Sequence, residues 1–286
     1  MPQYSINSNL TREAEHFYIG SSEIPGVQSI DFNYTLGLEK VKNIGKNNNI
    51  FLPSGPQQGS VSVSLASITS DQFYQLTGNY GVNGYLIEDK SNLANNFSFT
   101  SGYLNSYSCN CSIGQIPQIA AQFQTFGNIG RISTTENNDV ISDFANIPGS
   151  SSNLLLKIAD PGSLNVSIGD LNTNRLQSFN LGLSVPRVAV YSYGNAYPIA
   201  VMINYPIEID LSLTIDKNDY VAQNIRKFPF NDRNDTISLS FNDLQTKQNI
   251  LNYSFGSMKL IGEAMRTDIN GSVSTTLKYK GYILKS

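Results

Sequence analysis

The strongest regularity in the chain is an alternation of apolar and polar residues with period two, which marks half-buried strands rather than helices. From Val27, "VQSIDFNYTL" sets Gln28, Ile30, Phe32, Tyr34 and Leu36 on one face and Val27, Ser29, Asp31 and Asn33 on the other. From Leu176, "LQSFNLGLSV" keeps the same phase, with Phe179, Leu181, Leu183 and Val185 inward. A second pair of strands follows: "SVSVSLAS" from Ser60, with Val61, Val63 and Leu65 inward, and "IEIDLSLT" from Ile207, with Ile209, Leu211 and Leu213 inward.

These stretches belong to a longer repeat. Residues 19–45 and 168–194 align without a gap, sharing Ile19-Gly20 with Ile168-Gly169, Gln28-Ser29 with Gln177-Ser178, Val41 with Val190 and Gly45 with Gly194. After the first strand each copy runs through a long excursion, 37–59 and 186–206, which reads as an extended loop. Each copy then predicts one short α-helix. In "TSDQFYQLTG" Thr69 or Ser70 is the expected cap, Gln72 takes the capping-box position and Gly78 the stop; in "DKNDYVAQNIRKFP" Asp216 is the cap and Pro229 lies past the end.

A polar strand comes next, "GYLIEDK" from Gly84 and "TISLSFND" from Thr236. The copies close with long strand pairs, 97–126 and 253–282, in which Ser98-Phe99-x-Ser101 recurs as Ser254-Phe255-x-Ser257 and Leu104 as Leu260. "DINGSV", from Asp268, is a hairpin signal, because Asn-Gly supplies positive φ. The repeat is offset by about 149 to 156 residues, too long for a solenoid. It divides the chain into an N-terminal domain, 1–127, a polar linker or excursion, 128–152, and a C-terminal domain, 153–286.

Composition agrees with strands and turns. Asn occupies 33 positions, and the 16 Tyr and 14 Phe stand beside no Trp at all, a mixture that disfavours long helices. Only 14% of residues are charged and the formal net charge is −3, which excludes a basic nucleic-acid-binding surface of the usual kind. No run approaches the roughly 18 apolar residues of a membrane helix. The N-terminal stretch lacks the basic and apolar regions of a secretory signal, so synthesis and folding in a cytoplasm are expected.

Candidate chemistry is sparse. Cys109 and Cys111, two apart in "SYSCNCSIG", point the same way on a strand and so are expected as free thiols rather than a disulfide. With His16 the sole histidine and no second Cys pair, a zinc site and a Ser-His-Asp triad both lack their parts. "GNYGVNG", 78–84, has no GK[ST] and follows a helix signal, so it reads as a turn; "EDK" at 88–90 and "NDRND" at 231–235 read as solvated turns. The expectation is no catalytic residue, no metal, no cofactor and no enzyme.

The order strand, long loop, strand, helix, strand, long hairpin, written twice, resembles the tail tube proteins of tailed phages and the related tubes of contractile injection systems. The resemblance is carried by "IPGVQSIDFNYTL", the long loop through Gly45, the helix signal around Asp71 and the "FSFTSGYL" strands. It implies a mainly β protein with two tandem tube-like β-sandwich or barrel domains, each with one short α-helix and a long loop. It further implies a virion structural protein made in the host cytoplasm: three chains form a pseudo-sixfold ring, rings stack into a hollow conduit for DNA ejection, and the DNA passes without specific binding. Partners on this reading are further copies of the chain and other tail proteins such as a hub, a terminator, a sheath or a tape measure, with no membrane. Two other readings are a baseplate hub, distal tail or tube-capping adaptor of the same build, and a monomeric glycan-binding β-sandwich with an exposed aromatic platform.

Overall fold

The computed structural model describes residues 16–35, 38–42, 49–53, 58–67, 71–78, 80–87, 96–131, 158–169, 171–193, 197–216, 234–246, 248–267 and 273–284. It is mainly β, with antiparallel pairing and no α-helix among the described residues. The strands are β1 (His16–Ile19), β2 (Ser22–Glu23), β3 (Val27–Thr35), β4 (Leu38–Lys42), β5 (Asn49–Pro53), β6 (Gln58–Ala66), β7 (Val82–Ile87), β8 (Phe97–Ser112), β9 (Gln118–Thr125) and β10 (Ile129–Arg131). They continue as β11 (Leu164–Ile168), β12 (Leu171–Thr173), β13 (Leu176–Ser184), β14 (Arg187–Val190), β15 (Ala200–Ile203), β16 (Ile207–Asp216), β17 (Asp235–Asn242), β18 (Asn249–Arg266) and β19 (Ser274–Ile283).

Fifteen of these strands form one sheet. In the first half the neighbours run β2-β1-β7-β8-β9-β6-β3, with β10 also on β8. In the second half they run β12-β11-β17-β18-β19-β16-β13. The two sets meet where β13 pairs antiparallel with the last seven residues of β8, from Ser178 opposite Ser112 to Ser184 opposite Ser106. The excursions predicted as extended loops contain two separate ribbons, β4 with β5 and β14 with β15.

Burial follows the alternation. Along β16 the pattern is buried at every odd residue from Ile207 to Ile215, and Phe179, Leu181, Leu183 and Val185 are all buried as expected. Val27 departs from its assigned face. A bulge between Val27 and Ser29 inserts one residue against β6, so Val27 joins Ile30 and Phe32 against the core while Ser29 and Asp31 stay outward. The second strands, matched in sequence at a spacing of 148 so that Val63 answers Leu211, also shift. Ile30 lies opposite Val63 and Phe179 opposite Leu213, so Val63 answers Leu213 and not Leu211. A slip of two residues leaves every side chain on its face, which is why alternation alone does not detect it.

The helix predicted over 69–78 is a single 3₁₀ turn, Tyr74–Thr77. Asp71 receives its backbone, the Tyr74 N–H donating to Asp71 Oδ1 at 3.1 Å, while the expected caps Thr69 and Ser70 lie outside the described residues. Four residues suffice because Phe73, 1% exposed, already reaches the core against Phe123, ring centroids 5.8 Å apart, and Gly78 ends the turn in an extended conformation. The helix predicted after Asp216 and the Asn-Gly turn lie outside the described residues, while Asp216 itself ends β16. The strands predicted as polar carry buried Tyr85 and Ile87 on β7 and buried Ile237, Leu239 and Phe241 on β17.

Candidate functional site

The feature with the most extended chemistry is the outer face of the sheet across the junction of its halves. In antiparallel pairs, residues directly opposite one another point to the same side. Reading across from β3 to β19, the registers put Ser29, Ser64, Ala120, Ser108, Gly182, Asp210 and Lys280 in one row. The next row is Asp31, Ser62, Gln122, Ser106, Ser184 and Glu208. Small hydroxyl and amide side chains dominate both. Ser29 and Ser64 share a 2.6 Å hydrogen bond, and Ser106 donates to Gln122 Oε1 at 3.4 Å.

This face is concave. A depression of about 390 Å³ is lined by residues of β3, β6, β8, β9, β13 and β16, from Ser29 and Asp31 at one side to Asp210 at the other. Strands β3 and β16 stand five steps apart in the sheet, roughly 24 Å if it were flat, so only strong curvature brings both to one hollow. On the buried side Phe32 of β3 packs against Phe97 at the start of β8, ring centroids 5.9 Å apart.

The charge on the concave face is low and mixed. Among the described residues, Asp31 is the one charged side chain in these rows from β3 to β13. Farther on, Lys280 bridges to Glu208 at 3.2 Å and lies opposite Asp210. Among the described residues no basic side chain lies in these rows from β3 to β13, whereas at β18 and β19 Lys259 stands opposite Lys280 with Lys278 two residues along on the same face; the hydroxyls between are ordinary partners for water.

Beneath the face, the junction is fastened by polar contacts inside the core. Tyr107 of β8 and Tyr253 of β18, 2% and 1% exposed, bring their hydroxyl oxygens within 2.6 Å of one another. Both phenols also donate to Asp71 Oδ2, Tyr253 at 2.7 Å. One carboxylate therefore ties together the two halves of the sheet. Burial pushes both phenols far above their ordinary range and keeps them neutral donors. At the rim Arg187 of β14 donates from Nε to the Leu104 carbonyl at 2.9 Å and from Nη1 to the Gly78 carbonyl at 2.8 Å. Its guanidinium also lies 5.7 Å from the Tyr103 ring centre.

No protein-family model matches the chain, and no curated protein matches it.

The residues singled out in the sequence fall as follows. Cys109 and Cys111 are buried free thiols on the core side of β8. Burial pushes each up to about 12, Cys109 with a further upward push from the Asp71 charge, so they are unreactive at neutral pH. His16 pairs with Glu23 across the β1–β2 hairpin, Nδ1 to Oε1 2.8 Å. Asp235 of "NDRND" is 1% exposed at the start of β17, not in a solvated turn, because its strand begins beneath the bend of β18 at Met258. Residues 88–90 and 231–233 lie outside the described residues. The reading of the chain missed the linkage of Asp71, Tyr107 and Tyr253, which carries no local signal: its members are 36 to 182 residues apart.

The thiols give an alkaline signature. A folded thiol value near 12 against about 9 in the unfolded chain means their contribution is complete below pH 9 and is lost as pH rises toward 12. Between pH 9 and 10 the urea midpoint is expected to fall, with each thiol contributing a slope of up to about 1.4 kcal/mol per pH unit. Urea titrations of the wild type and of C109V/C111V across that range check it, since the double variant removes both thiol terms before the phenols contribute.

Proposed function

We propose that this chain is the subunit of a viral tail tube: a virion structural protein with two tube-like domains, three copies closing into a pseudo-sixfold ring and rings stacking into a conduit for DNA. The observation that carries the reading is the pairing order. β2-β1-β7-β8-β9-β6-β3 and β12-β11-β17-β18-β19-β16-β13 are the same path written in two sets of strands. Irregularities fall at matching points: bulges at Val27–Ser29 and Leu176–Ser178, at Leu104–Ser106 and Leu260–Gly262, and positive φ at Ser101 (51°) and Ser257 (57°). Gly20 and Gly169, at 59° and 58°, turn the first hairpin of each set.

Such matching supports two copies of one domain placed edge to edge, with β8 against β13 as the joint. A concave wall of serine, glutamine and asparagine that continues across this joint suits a lumen through which a polyanion slides. Where the wall crosses the joint, from β3 to β13, its rows carry no cation, so there is little counterion release there to make the DNA adhere. Its function on this reading is geometric, and no side chain is assigned a reaction.

Negative-stain microscopy with light scattering of the purified chain tests the proposal. Rings or tubes with a central channel and a mass of three chains per ring are the expected result. A chain that stays monomeric over the accessible concentration range, or binds a glycan array as a monomer, overturns it.

A further inference from the structure

We infer that the junction between chains joins the outer edge of β3 of one copy to the outer edge of β18 of the next, antiparallel, with Asp31 opposite Arg266 and Phe32 opposite Met265. The inference rests on the ring reading above and specifies its contact. Among the described residues, no strand pairs with β3 on the side away from β6, nor with residues 260–266 of β18 on the side away from β19. These two edges are the counterparts of the joint inside the chain. Matching bulges carry β3 onto β13 at a spacing of 149 residues and β8 onto β18 at 156.

Inside the chain Asn110 opposes Asn180, Cys109 opposes Leu181 and Tyr107 opposes Leu183. Moved by those spacings, the same register sets Arg266 opposite Asp31, Met265 opposite Phe32 and Glu263 opposite Tyr34. The outcome is chemically consistent at two of these positions, while at the third Glu263 brings a carboxylate to the core side opposite the Tyr34 phenol. Arg266 and Asp31 fall on the polar face as opposite charges, a favourable cross-strand pair. Met265 and Phe32 fall on the core side, where Cys109 and Leu181 are fully buried in the joint within the chain.

Exposure identifies what is missing. Cys109 is 0% and Leu183 4% exposed, whereas their counterparts Met265 and Tyr34 are 47% and 57% exposed. An apolar strand edge of this kind is a template for another chain. Because the two edges differ, the contact is head to tail, the kind that closes a ring when the rotation allows. Asp31 marks one edge and Arg266 the other, so pairing like edges in this register gains no opposite charges.

The test is N33C/A264C in the full chain, oxidised with diamide. Asn33 and Ala264 are opposite one another in the proposed register, and opposed residues of antiparallel strands lie within disulfide reach. The native thiols, buried and ionising near 12, do not compete. Covalent dimers and trimers are expected on non-reducing gels, with a yield about fivefold above the off-register pair N33C/R266C. Single charge reversals, D31R or R266D, are expected to weaken association about tenfold, and D31R/R266D to restore it. Rings in the microscope without preferential crosslinking, or reversals without mutual rescue, overturn this junction and leave the ring reading standing. A chain that remains monomeric throughout overturns both.

Discussion

Phe99→Ala is expected to destabilise the fold by about 3–5 kcal/mol, a large part of the roughly 5–15 kcal/mol a domain possesses. Phe99 is 0% exposed and stands between Phe123 and Phe32, with ring centroids 5.8 and 6.4 Å away. Its ring fills the space where Gly84, its cross-strand partner on β7, and Gly102, on its own strand, lack a Cβ. A strand glycine covered by an aromatic ring is a recognised way of restoring packing that glycine loses. The reverse change tests the same contact: Gly84→Ala drives a Cβ into the ring and is expected to cost about 1–3 kcal/mol. Urea midpoints of the two single variants and of the double variant separate the contributions. The double is expected to cost at least 1 kcal/mol less than the sum of the singles, by about that order of coupling. Strict additivity shows that ring and glycine do not share the space.

Asp71→Ala is expected to cost about 3 kcal/mol, because one carboxylate accepts from two buried phenols and a backbone N–H. Removing it leaves Tyr107 and Tyr253 with one another but with one hydroxyl hydrogen unplaced in the core. Tyr107→Phe and Tyr253→Phe are each expected to cost less, about 1–2 kcal/mol, since each removes a donor together with its need for an acceptor. Urea denaturation measures the three variants. Because Tyr107 belongs to β8 and Tyr253 to β18, the slope of the transition carries a second result. A lowered midpoint with unchanged slope shows the halves unfolding together. A change in Asp71→Ala no larger than in either phenylalanine variant shows that the carboxylate is not the central acceptor.

Much of the fold was legible in the residues. Phe179, Leu181, Leu183 and Val185 face inward as their alternation requires, and Ser29 and Asp31 face outward. The shared Ser101 and Ser257 proved to be the residues that bend the long strands β8 and β18. The polar face was not legible as a site, because the serines of β6 and Gly182 join Ser106 and Ser108 of β8 only by pairing. Less legible was the turn at Tyr74. Capping residues and a terminal glycine signal a helix locally, but Phe73, just before the four-residue turn Tyr74–Thr77, already reaches the core, and its packing outweighs further helical hydrogen bonds.

By itself the sequence determined which side chains turn inward wherever no bulge interrupts the alternation, because a pleated strand sends alternate residues to opposite faces. Which edge meets which, the registers that set Ile30 opposite Val63 and Phe179 opposite Leu213, and the meeting of Asp71 with Tyr107 and Tyr253 were decided only by the tertiary structure. The reason is physical: the N–H and C=O groups that join strands are the same for almost every residue, and a shift of two preserves every face. Only the packing of distant side chains distinguishes one pairing from another.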